Sequence, residues 1–306
     1  MNTFKRVMAL AAAGAVCLAG FAGCGNKSDT DKTNTDVSNS ASSVSSITQA
    51  KTIQDLKGMK IGAQTGTFHA EAINQIPDVK AEILPDFSDL LNALKTGAID
   101  GYIAEEPTAY SVTEQDSSLT FLPFKNNDTG FTATDSDVSV SIGVKKGSDL
   151  LAKVNEVLAG ITEEQKSQLM EQIVTLSNGG TVDKFALESE TPANPTGTLK
   201  VGMECNYKPY NWTDNTETFG AVPISSEGQD GLYANGYDVQ IAKYVADKLG
   251  LKLEVYAMEF DSLITAVNAG TIDAIVAGMS PTEERKKEID FSTPYYISNL
   301  VVIVKK

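Results

Sequence analysis

Phe87 to Ala104 reads FSDLLNALKTGAIDGYIA, and Phe260 to Ala277 reads FDSLITAVNAGTIDAIVA. Phe, Leu, Ala, Gly, Ile, Asp and Ala recur in register between the two. Each stretch reads as an amphipathic helix, a glycine C-cap and a strand opened by Ile-Asp. A second echo pairs KIGAQ (60–64) with KVGME (200–204). Internal repeats of this kind point to two lobes of like architecture. Strand and helix patterns alternate through the rest of the chain, which predicts an α/β fold.

Lys60 to Ala63 predicts a buried strand, 89–95 a short helix, and 99–104 a second strand. Asp137 to Lys145 alternates as a strand over its whole length. Ser148 and Thr162 are N-cap candidates for helices over 149–160 and 163–175, and Thr162 with Gln165 forms a capping-box pattern. The turn-rich stretch 177–197 reads as a connector. Residues 238–249 predict an amphipathic helix stopped by Gly250. The apolar run 300–306 predicts a final strand.

The chain has 306 residues, 25 Lys+Arg and 40 Asp+Glu, for a formal charge of −15. That balance argues against nucleic-acid and acidic-lipid surfaces, both of which need a basic footprint. The single histidine, His69, and three cysteines without a CxxC exclude a Cys/His zinc site and disfavour Ser-His-Asp or Cys-His hydrolysis. No metal and no cofactor is expected. At the N-terminus, Lys5 and Arg6 precede an apolar run from Val7 to Ala22, and small residues precede Cys24. Residues 1–23 read as a secretory signal. Phe21-Ala22-Gly23-Cys24 resembles a bacterial lipobox, in which Cys24 would be lipidated. Residues 24–46 are almost free of large apolar side chains and read as a flexible tether.

GMECNYKPYNW (202–212), NGYDVQIAKYVADKLG (235–250), IDAIVAGMSPTEERKKEIDFSTPYY (272–296) and LVVIV (300–304) resemble the first lobe of the extracellular amino-acid-binding proteins of ABC importers, family 3. DLKGMKIGAQTGTF (55–68), GAIDGYIAEEP (97–107) and VSIGVKKGSDLLAKVNEVL (140–158) resemble their second lobe. The resemblance implies a two-lobed periplasmic-binding-protein-like fold of type 2, circularly permuted, with lobe 2 before lobe 1. Lobe 2 would be 53–140, and lobe 1 would be 141–176 with 198–306, joined by connector 177–197. One of the family's two inter-lobe strands would be missing, at the join between 304 and 53, leaving a freer hinge. Termini that lie close in space make permutation tolerable. A fragment of a tandem array or a swapped dimer would carry the same order; a monomer is expected.

A free amino acid is a zwitterion, so its site needs a cation, an acid and a shaped, water-excluding wall. The resemblance places Arg285 and Thr67 on the ligand carboxylate, Glu105 on the ammonium, and Ser280 with the backbone of Gly278 and Met279 as neutral partners. A guanidinium can grip a carboxylate through two parallel hydrogen bonds. Tyr207 and Phe260 match aromatic positions that sandwich the substrate. Glu204 matches an acidic position facing a distal cation in binders of basic amino acids. Gln64 and Phe68 flank Thr67 and complete the set; Tyr210, Trp212 and His69 stay open. The implied protein is a lipid-anchored receptor facing the outside of the cell membrane. It would bind a polar, basic amino acid (Lys, Arg, ornithine or His) and deliver it to a permease, without enzymatic activity. A sensory binding lipoprotein, or a dehydratase or lyase on the same fold, is the alternative.

Overall fold

A computed structural model describes residues 46–306. The signal segment, Cys24 and nearly all of the tether lie outside the described residues. Among the described residues no helix is long and apolar enough to cross a membrane.

Two five-stranded sheets carry the fold. The first runs in the order Lys80–Leu84, Lys60–Gln64, Gly101–Glu105, Leu300–Lys305, Leu119–Leu122. The second runs Lys252–Ala257, Thr198–Met203, Ala274–Ile275, Gly143–Lys145, Ile289–Phe291. In each, the first three strands are parallel. In each, the fourth is antiparallel to both neighbours and comes from a distant part of the chain. The two sheets are therefore the same design built twice.

The repeated residues explain why. Helix Phe87–Thr96 and helix Leu263–Ala269 each end on a glycine at φ 78°, Gly97 and Gly270, whose N–H closes the last turn. Only glycine takes that left-handed conformation without strain. Asp100 does not open a strand by itself. Its Oδ2 accepts from the N–H of Lys60 at 2.8 Å, and Asp273 Oδ2 accepts from Lys200 N–H at 2.8 Å. Each aspartate thus ties the loop after its helix to the start of the neighbouring strand. Gly62 and Gly202 sit at the centre of those strands. A Cβ on Gly62 would lie 2.6 Å from Leu90 Cδ2 and 2.8 Å from Ile99 Cδ1. A Cβ on Gly202 would lie 2.9 Å from Leu263 Cδ2 and 2.5 Å from Ile272 Cδ1. The same Leu and Ile pack onto the same bare backbone in both copies. The copies differ at the helix start: Asp86 caps the first helix by accepting from Asp89 N–H at 2.8 Å. Glu259 makes no such bond, and its stretch opens with the 3₁₀ turn Phe260–Ser262.

Three expectations need correction. The predicted strand 137–145 is instead a short helix, Asp135–Val138, followed by Ser139–Val140 and Gly143–Lys145. Thr134 and Asp137 form a capping box that holds the helical turn. Ser148 is not the N-cap; Asp149 is, and Ser148 Oγ accepts from Leu150 N–H at 3.3 Å. Leu300–Lys305, assigned from sequence to the lobe of 198–306, lies in the other sheet between Gly101–Glu105 and Leu119–Leu122. Its alternate residues enter two cores. Val301 and Ile303 join the larger cluster, while Leu300, Val302 and Val304 join a smaller one with Ile53, Leu56 and Ile61. A strand apolar on both faces belongs in a sheet interior.

That placement also restores the hinge. The chain crosses between the sheets twice, once around 139–143 and once around 292–300. The two passages pair antiparallel at Val140–Tyr296 and Ser139–Ile297. Ser298 N–H donates to Val138 O and Tyr295 N–H to Val140 O. Neither crossing is broken, so the expected freer hinge is not supported. Connector 177–197 has no helix or strand beyond Ser177, which ends helix Glu163–Ser177, yet Phe185 and Leu187 are buried in the larger core.

Candidate functional site

The facing edges of the two halves enclose one small cavity. It is lined by Gln64, Thr67, Phe68 and Glu105 from the first half, and by Tyr207, Phe260, Gly278, Ser280 and Arg285 from the second. Nine of the eleven residues named from sequence therefore meet in one place. Met279 is buried beside them, its carbonyl accepting from Ser141 N–H at 3.0 Å, but does not line the space. Glu204 reaches the site only through Gln64, whose Nε2 donates to Glu204 Oε1 at 2.7 Å and to Pro85 O at 3.1 Å. Gln64 and Glu204 are partners in the KIGAQ/KVGME echo, so the repeat brings its own two copies into contact.

Arg285 begins the short helix Arg285–Glu288 and is buried. Nη1 donates to Ser280 O at 2.8 Å, and Nη2 donates to the carbonyl of Gly66 across the cleft. Its guanidinium carbon lies 5.1 Å above the Phe260 ring, a cation–π arrangement. Among the described residues no carboxylate forms an ion pair with it. Burial pulls its pKa down to about 10, opposed by Glu71 and Asp261, so it remains a cation at neutral pH. A buried, unpaired cation is costly to maintain, which makes it a ready partner for an anion brought by a ligand.

Glu105 ends strand Gly101–Glu105 and is also buried. Its Oε1 stands 3.1 Å from His69 Nε2. Its Oε2, His69 Nδ1 and the Tyr207 hydroxyl have no hydrogen-bond partner within the protein. Buried polar atoms are nearly always satisfied, and three orphans around one cavity mark it as a place where polar groups are to be supplied. Thr67 precedes helix Phe68–Ala72, and its Oγ1 donates to Gln64 O at 2.8 Å. Gly278 has φ 60°, and a Cβ there would lie 3.3 Å from the Tyr207 ring.

Below the cavity, Asp238 is fully buried. It accepts from Tyr295 Oη at 2.6 Å and from Asn211 Nδ2 at 2.8 Å. Burial raises its pKa to about 6, with those bonds and the Gly278 N–H holding it down. At the rim, burial pushes the Glu204 carboxyl up to about 8, with Asp86, Glu259 and Asp261 adding to the rise. The site thus joins an embedded guanidinium to an acidic rim.

Three further residues line the cavity: His69, which the sequence left open, Ala277, and Phe87, which was not singled out. Phe87 is the repeat partner of Phe260, which the sequence did single out; applying the repeat to that residue would have found it. Phe87 stacks on Tyr207 at 3.9 Å between ring centroids, and Tyr207 stacks on Tyr210 at 5.1 Å. Tyr207 and Phe260, expected to flank the substrate, both line the cavity. Trp212 lines a different groove, described below. The enclosed volume is about 10 Å³, room for roughly one water. Anything the size of an amino acid enters only when the halves part at the paired hinge strands.

Residues 199–306 match the family described as bacterial extracellular solute-binding proteins, family 3. Among similar curated proteins is the arginine-binding extracellular protein ArtP of Bacillus subtilis. It is 37% identical over 108 residues, 35% of this chain and 36% of that protein. A probable histidine-binding protein of Campylobacter jejuni is 36% identical over 114 residues, 37% and 38% of the two chains. Among solved structures, an ancestral arginine-binding protein bound to arginine is 40% identical. It covers 32% of this chain and 37% of that one, with a TM-score of 0.26. The chain spans little more than a third of the length of the curated relatives it matches.

Proposed function

We propose that this chain, whose residues 199–306 match the bacterial extracellular solute-binding proteins of family 3, captures a free amino acid between its two halves. It would deliver that amino acid to an ABC importer permease while held at the outer face of the membrane by lipid on Cys24. One observation carries the reading. A buried guanidinium, Arg285, and a buried carboxylate, Glu105, line the same closed cavity from opposite halves. That pair suits the two charged ends of a zwitterion. The ligand carboxylate would sit in the fork of Arg285 with the Ser280 and Thr67 hydroxyls beside it. The ammonium would sit on Glu105, taking the place of His69 at Oε1 or filling the free Oε2. A ligand held this way bridges both halves, so its binding favours the closed state by its differential affinity. Nothing in this scheme needs a covalent step.

The acidic rim supports a cationic amino acid. Asp86, Glu259 and Asp261 surround Glu204 with negative charge, and a ligand cation would ionise Glu204 as well. The raised pKa of Glu204 gives a test with a definite sign. A ligand cation favours the ionised carboxylate, so binding expels a proton whenever Glu204 is protonated beforehand. Affinity for L-lysine is therefore expected to rise as pH rises to about 8 and to level off above it. The rise cannot exceed about tenfold per pH unit for one proton. In Glu204→Gln the slope should flatten, and affinity for neutral amino acids should change little. Calorimetric titration over that range decides it. An unaltered slope in the variant would remove Glu204 from the reading. Turnover of a prephenate-class substrate, with no amino acid bound, would favour the enzymatic alternative.

The same reading implies that the lobes stand in exchanged order. Support comes from Ala50, Ile53 and Leu56, which share a buried cluster with Leu300, Val302 and Val304. The segment that would follow residue 304 in the usual order thus already packs beside it. A reordered chain, beginning near 198 and joining 306 to about 51 by a short linker, is expected to fold and bind the same amino acid within about threefold. Failure of that chain to fold, while the present one folds, would argue against the exchange.

A further inference from the structure

On the far side of the Phe87–Tyr207 stack lies a second, larger cavity of about 490 Å³. Phe87 and Tyr207 line both spaces, so the stacked rings form a partition between them. The volume falls within the range of small-molecule sites, roughly 300–1,000 Å³. Its walls are largely apolar, with Leu91, Tyr102 and Val112 from the first half facing Trp212 from the second.

Two features give it chemistry. Lys208 is the only charged residue among its described walls, and its ammonium sits 5.5 Å above the Trp212 ring centroid. Among the described residues no carboxylate pairs with Lys208; its Nζ reaches only the Ser177 carbonyl, at 3.5 Å. Thr108, 2% exposed, lines the cavity with a hydroxyl that has no partner in the protein.

The geometry points to a second binding site, for a small organic acid with an aromatic or apolar body and one carboxylate. The body would lie between Leu91, Val112 and the indole, and the carboxylate would meet Lys208, with the Thr108 hydroxyl beside it. This is the reverse of the first cavity's rim, where carboxylates select for a cation. The site is independent of the amino-acid reading. A ligand there would still touch the partition ring Tyr207 and both halves, so it is placed to bias opening and closing.

Trp212 is the only tryptophan in the chain, and its fluorescence reports on this cavity and on a neighbouring groove beside Leu176 and Val182 that it also borders; Val112→Phe, which narrows this cavity only, should therefore lose the probe if it binds here. With 3-phenylpropionate as probe, a saturable change in emission is expected at millimolar concentration or below. Uncharged 3-phenylpropanamide should bind about tenfold more weakly, and Lys208→Gln should weaken the acid about tenfold while leaving the amide unchanged. Arg285→Met should leave probe binding intact, whether or not it abolishes amino-acid binding. No saturable change, equal binding of acid and amide, or loss of the probe in Arg285→Met would each overturn the second site. Probe binding without any amino-acid binding would leave it standing and sink the first reading instead.

Discussion

Replacing Arg285 by methionine is expected to abolish amino-acid binding, with affinity falling a hundredfold or more. The side chain is unbranched and of similar length, so its apolar stem stays in place against Phe260. What is lost is the guanidinium that donates to Ser280 O and to the Gly66 carbonyl and faces the cavity as its one cation. Truncating one member of a desolvated, hydrogen-bonded charge pair costs about 2–5 kcal/mol, and each 1.4 kcal/mol is about a factor of ten. Arg285→Lys keeps a charge but loses the planar fork, so it should bind more weakly than wild type and more tightly than the methionine variant. Removing a buried cation that has no carboxylate partner should leave thermal stability close to unchanged. Calorimetry against the common amino acids is the measurement. A methionine variant that binds within about threefold of wild type would place the carboxylate site elsewhere.

Gly236→Ala is expected to give the largest loss of stability from a single methyl group. Gly236 lies at φ 130° between strand Tyr233–Asn235 and helix Tyr237–Lys248. A Cβ there would stand 2.2 Å from the Tyr210 carbonyl oxygen and 2.7 Å from its carbon. The obstacle is backbone, which cannot swing aside as a side-chain tip can. Strain at a glycine-only conformation and overpacking each cost about 1–3 kcal/mol. The midpoint of thermal unfolding should fall by roughly 10 °C, taking about 2–4 °C per kcal/mol for a chain of this size. Gly228→Ala is the control. That glycine also has positive φ, 77°, but nothing lies within 4 Å of its Cβ position. It should lose only a few degrees, on the order of 1 kcal/mol. Equal losses in the two variants would show that conformation, not contact, sets the cost at Gly236. The alanine variant should also weaken binding, because the displaced Tyr210 supports Tyr207 at the cavity.

Much of this was legible in the sequence, for reasons that differ by element. The repeat of Phe, Leu, Gly and Ile-Asp is legible because it encodes local events: a helix, a left-handed cap and a tie to the next strand. Arg285, Glu105 and Thr67 could be named because each lies at the end of such an element, where a resemblance transfers residue by residue. Phe87 was missed although the repeat pairs it with Phe260; only its stacking on Tyr207, which comes from the other half, is encoded by no local pattern. Glu204 was named, yet Gln64 separates it from the cavity, and only side-chain packing reveals that. The run Leu300–Val304 announces a strand buried on both faces but says nothing about which sheet receives it. Both sheets lack an antiparallel fourth strand until a distant segment arrives, so the sequence offers two equal vacancies.

Those borrowed strands have a consequence for how the molecule is made. Leu300–Lys305 sits inside a sheet whose other strands all occur before residue 123. Gly143–Lys145, in turn, waits for neighbours at 274–275 and 289–291. As the chain emerges in order, the half that appears first stays open at its centre until the last strand is synthesised. The half that appears second is seeded by a strand made long before it. Such long-range pairing is slow and leaves apolar edges uncovered in the meantime. Neither half closes its sheet from one continuous stretch of chain, and the paired strands at the crossing are also what ties the two folding events into one.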